Sequence, residues 1–131
     1  MDPIRRVLVV EDEPDVREPV AQLLAVAGFE VAAAANGLEA LRLARSSPPD
    51  VIVLDLMMPV MNGWEFRRAQ RADPALAAIP VVVVSASTPT PDLGPISHVA
   101  KPYELPALLR ALDLVAGARE PAPLSGSADE R

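Results

Sequence analysis

The chain of 131 residues carries 12 basic and 18 acidic side chains, which gives a formal net charge of −6. Its length suits one domain with a single core, while the acidic balance and the lack of a Lys/Arg-rich run argue against nucleic acid as a partner. The chain contains no cysteine, which excludes disulfides, thiolate metal sites and a cysteine nucleophile. No apolar stretch approaches the roughly 20 residues of a membrane span, so we expect no membrane partner and a cytoplasmic location.

Five short apolar runs alternate with helical patterns along the chain. Most of them consist of Val, Ile, Leu and Ala, which is typical of strands buried on both faces of a parallel sheet. This alternation predicts a doubly wound α/β fold with its functional site at the carboxyl ends of the strands. The runs are Val7–Val10, Val31–Ala34, Val51–Leu54, Val81–Val84 and, more weakly, His98–Ala100.

Helical spacing of apolar residues follows four of these five runs. Pro19 lies deep in the first helical pattern, where a proline should remove one hydrogen bond and bend the helix. The four patterns run from Val16 to Ala27, from Leu38 to Ala44, from Trp64 to about Arg71 and from Leu105 to Val115.

Two segments lack such a pattern. Between the fourth and fifth runs, Pro89, Pro91 and Pro95 leave no uninterrupted stretch of the about 11–12 residues that a typical helix needs. A helix in this place is predicted to be missing or reduced to a turn. From Gly117 onward all periodicity is lost, which predicts a domain of residues 1–116 and a disordered tail of residues 117–131.

Charged and hydroxyl side chains stand where four of the predicted strands end. Glu11 and Asp12 follow the first strand, Asp55 the third, Ser85 the fourth and Lys101 the fifth. In a parallel sheet these ends share one edge, and crowded carboxylates repel one another unless a cation lies among them. Their hard oxygen atoms suit Mg²⁺, and a carboxylate beside Mg²⁺ can form an aspartyl phosphate. The set therefore predicts a phosphoryl-transfer site.

Each residue of the set also has an ordinary alternative role. Asp12, ahead of Pro14, could cap the first helix, while Ser85 could be a turn serine and Lys101 a solvated lysine. Caps and turns do not explain why these groups occur together at the ends of several strands. The ordered set therefore favours a site.

Four motifs in this order resemble the receiver domains of bacterial response regulators. The resemblance covers about residues 5 to 116 and implies a flavodoxin-like, five-stranded parallel sheet of order 2-1-3-4-5 with helices on both faces. It also implies a cis peptide bond before Pro102. The motifs are Val7–Pro14 (VLVVEDEP), Asp55–Gly63 (DLMMPVMNG), Ser85-Ala86 and Lys101-Pro102.

The resemblance implies a role for each residue of the predicted site. Asp55 would be the phosphoacceptor, and Ser85 and Lys101 would be the switch hydroxyl and the phosphate-binding lysine. The implied Mg²⁺ ligands are Asp12 directly, Glu11 through water, Asp55, and the backbone carbonyl of Met57.

The segment without a helix departs from the family's pattern, because the family's usual output surface includes a helix there. His98 is a second departure, since it stands where the family has an aromatic residue that moves when phosphate binds. A lone histidine is most often a surface residue or one with satisfied hydrogen bonds. A switch role for His98 is therefore the lesser alternative.

The leading hypothesis is a stand-alone signalling receiver, not an enzyme, that accepts phosphate from a histidine kinase or a phosphotransfer protein. It would be a monomer or weak dimer whose output is contact with an unknown protein partner, or it would serve as a phosphate sink or shuttle. One alternative is an interaction module that works without phosphorylation. The other is an Mg²⁺-dependent phosphatase of the haloacid dehalogenase type, which needs a second Asp where this chain has Met57.

Overall fold

The computed structural model describes residues 5–119, with side chains described as far as Val115. The five strands in this part are parallel and form one sheet in the order β2-β1-β3-β4-β5, which confirms the predicted topology. Their bounds agree with the predicted runs to within one residue at each end. The strands are β1 (Arg6–Val10), β2 (Glu30–Ala34), β3 (Val51–Asp55), β4 (Val81–Ser85) and β5 (Ser97–Ala100).

Four α-helices within residues 5–119 cover both faces of the sheet. They are α1 (Pro14–Val26), α2 (Gly37–Ser46), α3 (Gly63–Ala72) and α4 (Leu105–Arg119). Alternate residues of β1 point to opposite faces, as the period of a strand requires. Leu8 and Val10 pack in the core that α2 and α3 cover, whereas Val7 and Val9 pack in the core that α1 and α4 cover. Burial on both faces explains why β1, β3 and β4 are so rich in Val, Ile and Leu.

The start of α3 is built tightly against the end of β3. Asn62 and Glu65 form a reciprocal capping box, with hydrogen bonds of 2.8 and 3.0 Å between each side chain and the other's backbone N–H. A Cβ atom on Gly63 would lie only 2.7 Å from the carbonyl oxygen of Asp55. Glycine at this position therefore lets α3 begin beside the strand end that carries Asp55.

Helix α1 continues through Pro19 from Pro14 to Val26. Proline has no N–H to donate, so one hydrogen bond of the helix is missing there, and Pro19 lies on the exposed side of the molecule. The bend that the sequence predicts at this residue stays a prediction.

The segment between β4 and β5 contains no α-helix, which confirms the prediction made from its prolines. A single 3₁₀ turn, Pro91–Leu93, takes its place, and Leu93 is buried in the core. Arg67 of α3 donates a hydrogen bond from Nε to the Leu93 carbonyl at 2.7 Å and one from Nη2 to the Pro95 carbonyl at 2.8 Å. A side chain of α3 therefore holds the segment in place of helical hydrogen bonds.

Helix α4 extends to Arg119, so it includes the first three residues that the sequence analysis assigned to the tail. Ala118 and Arg119 are good helix formers, and the about 1 kcal/mol that Gly117 costs relative to alanine is small enough for the helix to continue. The rest of the predicted tail, residues 120–131, lies outside the described residues. In the described part of the chain, no helix is both long enough and apolar enough to cross a membrane.

Candidate functional site

The charged residues predicted at the strand ends meet at the carboxyl edge of the sheet. Carboxylate oxygens of Glu11, Asp12 and Asp55 lie within 4.8 Å of one another. The Lys101 Nζ atom lies 3.1 Å from Glu11 Oε1 and 3.4 Å from Asp55 Oδ1. Glu11 and Asp55 are each 5% exposed, whereas Asp12 is half-buried. Three carboxyl groups and one ammonium group therefore lie together at this edge, with Asp12 and Lys101 more exposed than Glu11 and Asp55.

The end of β1 places the first two carboxylates. The Glu11 N–H donates to the Ala34 carbonyl of β2 at 3.0 Å, so Glu11 is still held by the sheet. Glu13 is the N-cap of α1, and it makes no side-chain capping hydrogen bond. Asp12 lies between the strand and the N-cap residue, and its side chain makes no capping hydrogen bond to the helix. The structure therefore excludes the helix-cap role that its sequence position also allowed.

The ends of β3 and β5 place the other two groups. Asp55 is the last residue of β3 and is paired with Val84 of β4. The backbone N–H of Lys101 donates to the carbonyl of Ser85 at 2.9 Å, which fixes the lysine beside the end of β4. The peptide bond between Lys101 and Pro102 is cis, as the family resemblance implied.

Crowding changes the acidity of Glu11 and the basicity of Lys101. Burial, and then the charge of Asp55, raise the pKa of Glu11 from 4.5 to about 7, although Lys101 and the N–H of Glu13 partly offset them. Partial burial alone would lower the pKa of Lys101. The hydrogen bond to Glu11 and the charges of Asp55 and Glu11 together outweigh that effect, so the pKa of Lys101 is raised. Lys101 therefore stays charged and reduces, without removing, the repulsion among the carboxylates.

Ser85 lies at the same edge, but its hydroxyl group is engaged elsewhere. The hydroxyl accepts a hydrogen bond from the Ser87 N–H at 2.9 Å and is also 2.9 Å from the Ser87 carbonyl, to which it donates. The His98 Nε2 atom lies 3.4 Å from the Ser85 carbonyl, and the His98 side chain is exposed. The switch role predicted for Ser85 stays a prediction, and a switch role for His98 stays the lesser alternative.

Met57 follows two residues after Asp55, in the loop between β3 and α3. Its side chain is 73% exposed, so it takes no part in the core. The prediction that its backbone carbonyl is a metal ligand stays a prediction. Val60 in the same loop has a φ of 69°, which is uncommon for a β-branched residue.

The sequence patterns did not indicate two neighbours of the site. Arg17 of α1 donates from Nη1 to the carbonyl oxygens of Glu11 and Asp12 at 2.9 and 3.4 Å. Tyr103 is the second: burial is the main cause that raises its pKa, and the charges of the site also act on it. The only sequence signal for Arg17 is that it is the one basic residue in the first helix. A pattern of strand ends cannot find residues that reach the site from a helix or a loop.

The arrangement fits a small divalent cation. The possible metal ligands in the cluster of Glu11, Asp12 and Asp55 are all carboxylate oxygens. Mg²⁺ prefers oxygen ligands from one or two carboxylates, together with water molecules that it retains. The three carboxyl groups of this cluster outnumber the single ammonium group of Lys101 beside them. An excess of acidic groups and a set of hard oxygen ligands therefore occur at the same place.

A sequence profile described as the response regulator receiver domain matches residues 7–113 of this chain. The chain belongs to the response regulator receiver domain family. Receivers are signalling domains of bacterial two-component systems, and they generally bind Mg²⁺ through acidic residues. The cluster of Glu11, Asp12 and Asp55 fits that general property.

Relatives with known names support the same family. The receiver is 39% identical over 121 residues to the DNA-binding response regulator MtrA of Mycolicibacterium smegmatis, and the match covers 85% of this chain and 52% of MtrA. It is 41% identical over 116 residues to the transcriptional regulatory protein PrrA of Mycobacterium tuberculosis, covering 82% of this chain and 49% of PrrA. The chain thus spans about half the length of the curated relatives it matches.

Solved structures agree with the fold. The chemotaxis protein CheY4 of Vibrio cholerae superposes with a TM-score of 0.79 at 34% identity, over 86% of this chain and 98% of that one. The signal receiver domain of a histidine kinase from Syntrophus aciditrophicus has the same TM-score at 24% identity and covers 97% of each chain. The flavodoxin-like receiver fold expected from the sequence is therefore confirmed.

Proposed function

We propose that this receiver accepts a phosphoryl group on Asp55, in an Mg²⁺-dependent reaction, from a histidine kinase or a phosphotransfer protein. The observation that carries the proposal is the convergence of three carboxylates and one lysine ammonium group at the edge of the sheet. Asp55 is central to it, because it lies at the end of β3 and contacts Lys101.

The chemistry needs few groups. A carboxylate oxygen of Asp55 would form a bond to phosphorus while the bond from phosphorus to the donor nitrogen breaks, and the donor keeps that electron pair. A bound Mg²⁺ would neutralise charge on the phosphoryl group and the acceptor. Asp12, Asp55 and the Met57 carbonyl would hold the ion directly, and Glu11 would hold it through water.

Lys101 and Ser85 would then change partners. The Lys101 ammonium group now bridges Glu11 and Asp55, and it lies close enough to Asp55 to move onto a phosphoryl oxygen attached there. The Ser85 hydroxyl would leave its hydrogen bonds with Ser87 and donate to another phosphoryl oxygen. These exchanges would stabilise the phosphorylated state by fixed charges and donors.

Output would follow through protein contact, or the chain would serve as a phosphate sink or shuttle. A groove of about 590 Å³ along β5 and α4, which includes Tyr103, Arg110 and Leu114, offers one surface for such contact. The name of MtrA includes DNA binding, but MtrA is about twice as long as the region that matches this chain. We therefore do not assign DNA binding to this receiver domain. We further propose that the protein acts in the cytoplasm as a monomer or weak dimer.

The two alternatives have less support. An Mg²⁺-dependent phosphatase of the haloacid dehalogenase type needs a second aspartate where this chain has Met57, whose side chain is exposed. An interaction module that works without phosphorylation agrees with the altered segment between β4 and β5. It gives no reason for burying Glu11 and Asp55 together beside Lys101.

The test is phosphorylation by acetyl phosphate, followed by intact mass measurement, with the Asp55→Asn variant as the matched control. We expect the parent to gain the mass of one phosphoryl group when Mg²⁺ is present, and the variant to gain none. An equal mass gain in both proteins would contradict the assignment of Asp55. A parent that bound no Mg²⁺ and gained no mass would favour the interaction module.

A further inference from the structure

Arg17 holds the loop that carries two of the three carboxylates. It is the fourth residue of α1, and it is half-buried. Its Nη1 atom donates to the Glu11 carbonyl at 2.9 Å and to the Asp12 carbonyl at 3.4 Å, of which the first is the stronger hydrogen bond. One side chain therefore contacts the backbone of both predicted metal ligands that follow β1.

The two carbonyl groups lie where the hydrogen bonds of α1 do not reach them. The first carbonyl that the helix uses is that of Glu13, which accepts from the N–H groups of Val16 and Arg17 at 3.0 and 2.8 Å. The carbonyls of Glu11 and Asp12 come before it in the chain. Arg17 therefore links the helix to the loop by side-chain hydrogen bonds, at carbonyl groups that the backbone N–H groups of the helix do not reach.

Repulsion among carboxylates acts on this loop. Its carboxylates lie within 4.8 Å of each other and of Asp55, and like charges at such distances repel. The loop would relax by opening if nothing held its backbone. Among the ion pairs in the described residues, none joins Arg17 to a carboxylate, so its charge acts on the loop without occupying a carboxylate oxygen.

Lys101 offers a contrast. Its ammonium group contacts carboxylate oxygens of Glu11 and Asp55 directly, so a metal ion has to compete with it for those atoms. Arg17 binds only carbonyl oxygens and does not compete. The two cations at this edge therefore have different effects on metal binding.

We propose that Arg17 is a positioning residue for the Mg²⁺ site, which fixes the backbone at Glu11 and Asp12 so that their carboxylates stay converged on one point. The proposal rests on the proposed function. Residues that orient metal ligands from behind commonly change affinity by about 10- to 100-fold when they are replaced. Arginine suits this task better than lysine, because its planar guanidinium keeps its donors in a fixed geometry.

The experiment is calorimetric titration of the whole chain with Mg²⁺ at about 0.15 M ionic strength, where the Debye length is about 8 Å. Arg17→Gln removes the contact and the charge, and Arg17→Lys keeps the charge without the planar group. Arg42→Gln is the matched control, because Arg42 on α2 is exposed and its side chain makes no hydrogen bond or ion pair in the described residues. We expect Arg17→Gln to weaken Mg²⁺ binding about tenfold, Arg17→Lys to weaken it less, and the control to stay within about twofold, as screening at a distance requires.

A second readout separates positioning from general stability. We expect the metal-free variants to keep a cooperative thermal transition, while the rise in Tm that Mg²⁺ causes becomes smaller in Arg17→Gln than in Arg42→Gln. Equal Mg²⁺ affinity in those two variants would overturn the proposal. Parent-like affinity in Arg17→Lys would overturn it too, in favour of charge alone. A parent that binds no Mg²⁺ would overturn the proposed function, and this proposal with it.

Discussion

At the scale of single residues, Glu11 sets a dependence on pH. Its pKa is about 7 in the folded chain, against 4.5 as its ordinary value, because of burial and the charge of Asp55. Between these two pH values the folded chain binds more protons than the unfolded chain. The free energy of unfolding of the metal-free protein must therefore fall as the pH rises through this window.

We expect that fall to be on the order of 1–3 kcal/mol between pH 4.5 and 7.5. Urea denaturation in EDTA at several pH values measures it, and Glu11→Gln provides the comparison, since glutamine has no proton to lose. The variant should show a flatter profile in this window. The same slope in both proteins would place the titration on another group.

Val60 is a second residue with a local cost. Its φ is 69°, and the Met61 N–H donates to the Pro59 carbonyl at 2.7 Å, so Val60 is the centre of a γ-turn in its strained form. The side chain is 76% exposed and contributes little packing. We expect Val60→Gly to raise the free energy of unfolding by about 1 kcal/mol, because glycine adopts this conformation freely.

Urea denaturation in EDTA measures this change as well. Val60→Ala is the control, because it removes the branched side chain but keeps a Cβ atom, and it should gain less than glycine. If the glycine variant is less stable than the parent, the strain at this turn is not significant.

At the scale of elements, side chains of α3 hold the segment between β4 and β5, which contains no α-helix of its own. Besides its bonds to Leu93 and Pro95, Arg67 donates to Gln70 Oε1 at 2.8 Å, and the whole side chain is buried. Nearer the middle of the segment, Trp64 Nε1 donates to Thr90 Oγ1 at 2.8 Å. The middle and the end of the proline-rich segment are therefore tied to α3.

We expect Arg67→Met to lower the free energy of unfolding by about 2–4 kcal/mol, because it leaves buried carbonyl groups without a donor. Arg68→Met on the same helix is the control, since Arg68 is exposed and its side chain has no hydrogen bond or ion pair in the described residues. That change should stay within about 0.5 kcal/mol. Similar values for both variants in urea denaturation would show that Arg67 does not hold the segment.

The elements were largely predictable from the sequence because buried parallel strands are continuous apolar runs. The absence of a helix before β5 was predictable because three prolines interrupt one short segment. The contact between Arg67 and Leu93 joins residues 26 positions apart, and no local pattern indicates it. The extension of α4 past Gly117 was missed because the helical spacing of apolar residues ends at Val115, whereas the backbone continues as a helix to Arg119.

At the scale of the whole molecule, topology explains why the strand-end residues could be predicted to lie together. A parallel sheet brings its strand ends to one edge, so Glu11, Asp55 and Lys101 had to lie near one another once the strands were known. Topology does not specify side-chain partners. The hydrogen bonds of Ser85 with Ser87, and those of Arg17 with the loop after β1, depend on atomic packing.

The same edge brings together carboxyl groups whose charges repel one another. Three of the 18 acidic residues of this chain converge there, and the lysine beside them bridges two. A bound Mg²⁺ and a phosphoryl group would replace this strained arrangement with one in which the charges have partners. The central claim is that Asp55 is the acceptor in that exchange.

The most direct test locates the phosphoryl group on the chain. After reaction with a phosphoryl donor and Mg²⁺, borohydride reduction converts an aspartyl phosphate to homoserine, which peptide mass mapping then assigns to one residue. We predict homoserine at position 55 in the Mg²⁺ sample and aspartate there in a sample treated with EDTA. Homoserine at another aspartate, or phosphate on a serine with Asp55 unchanged, would contradict the claim.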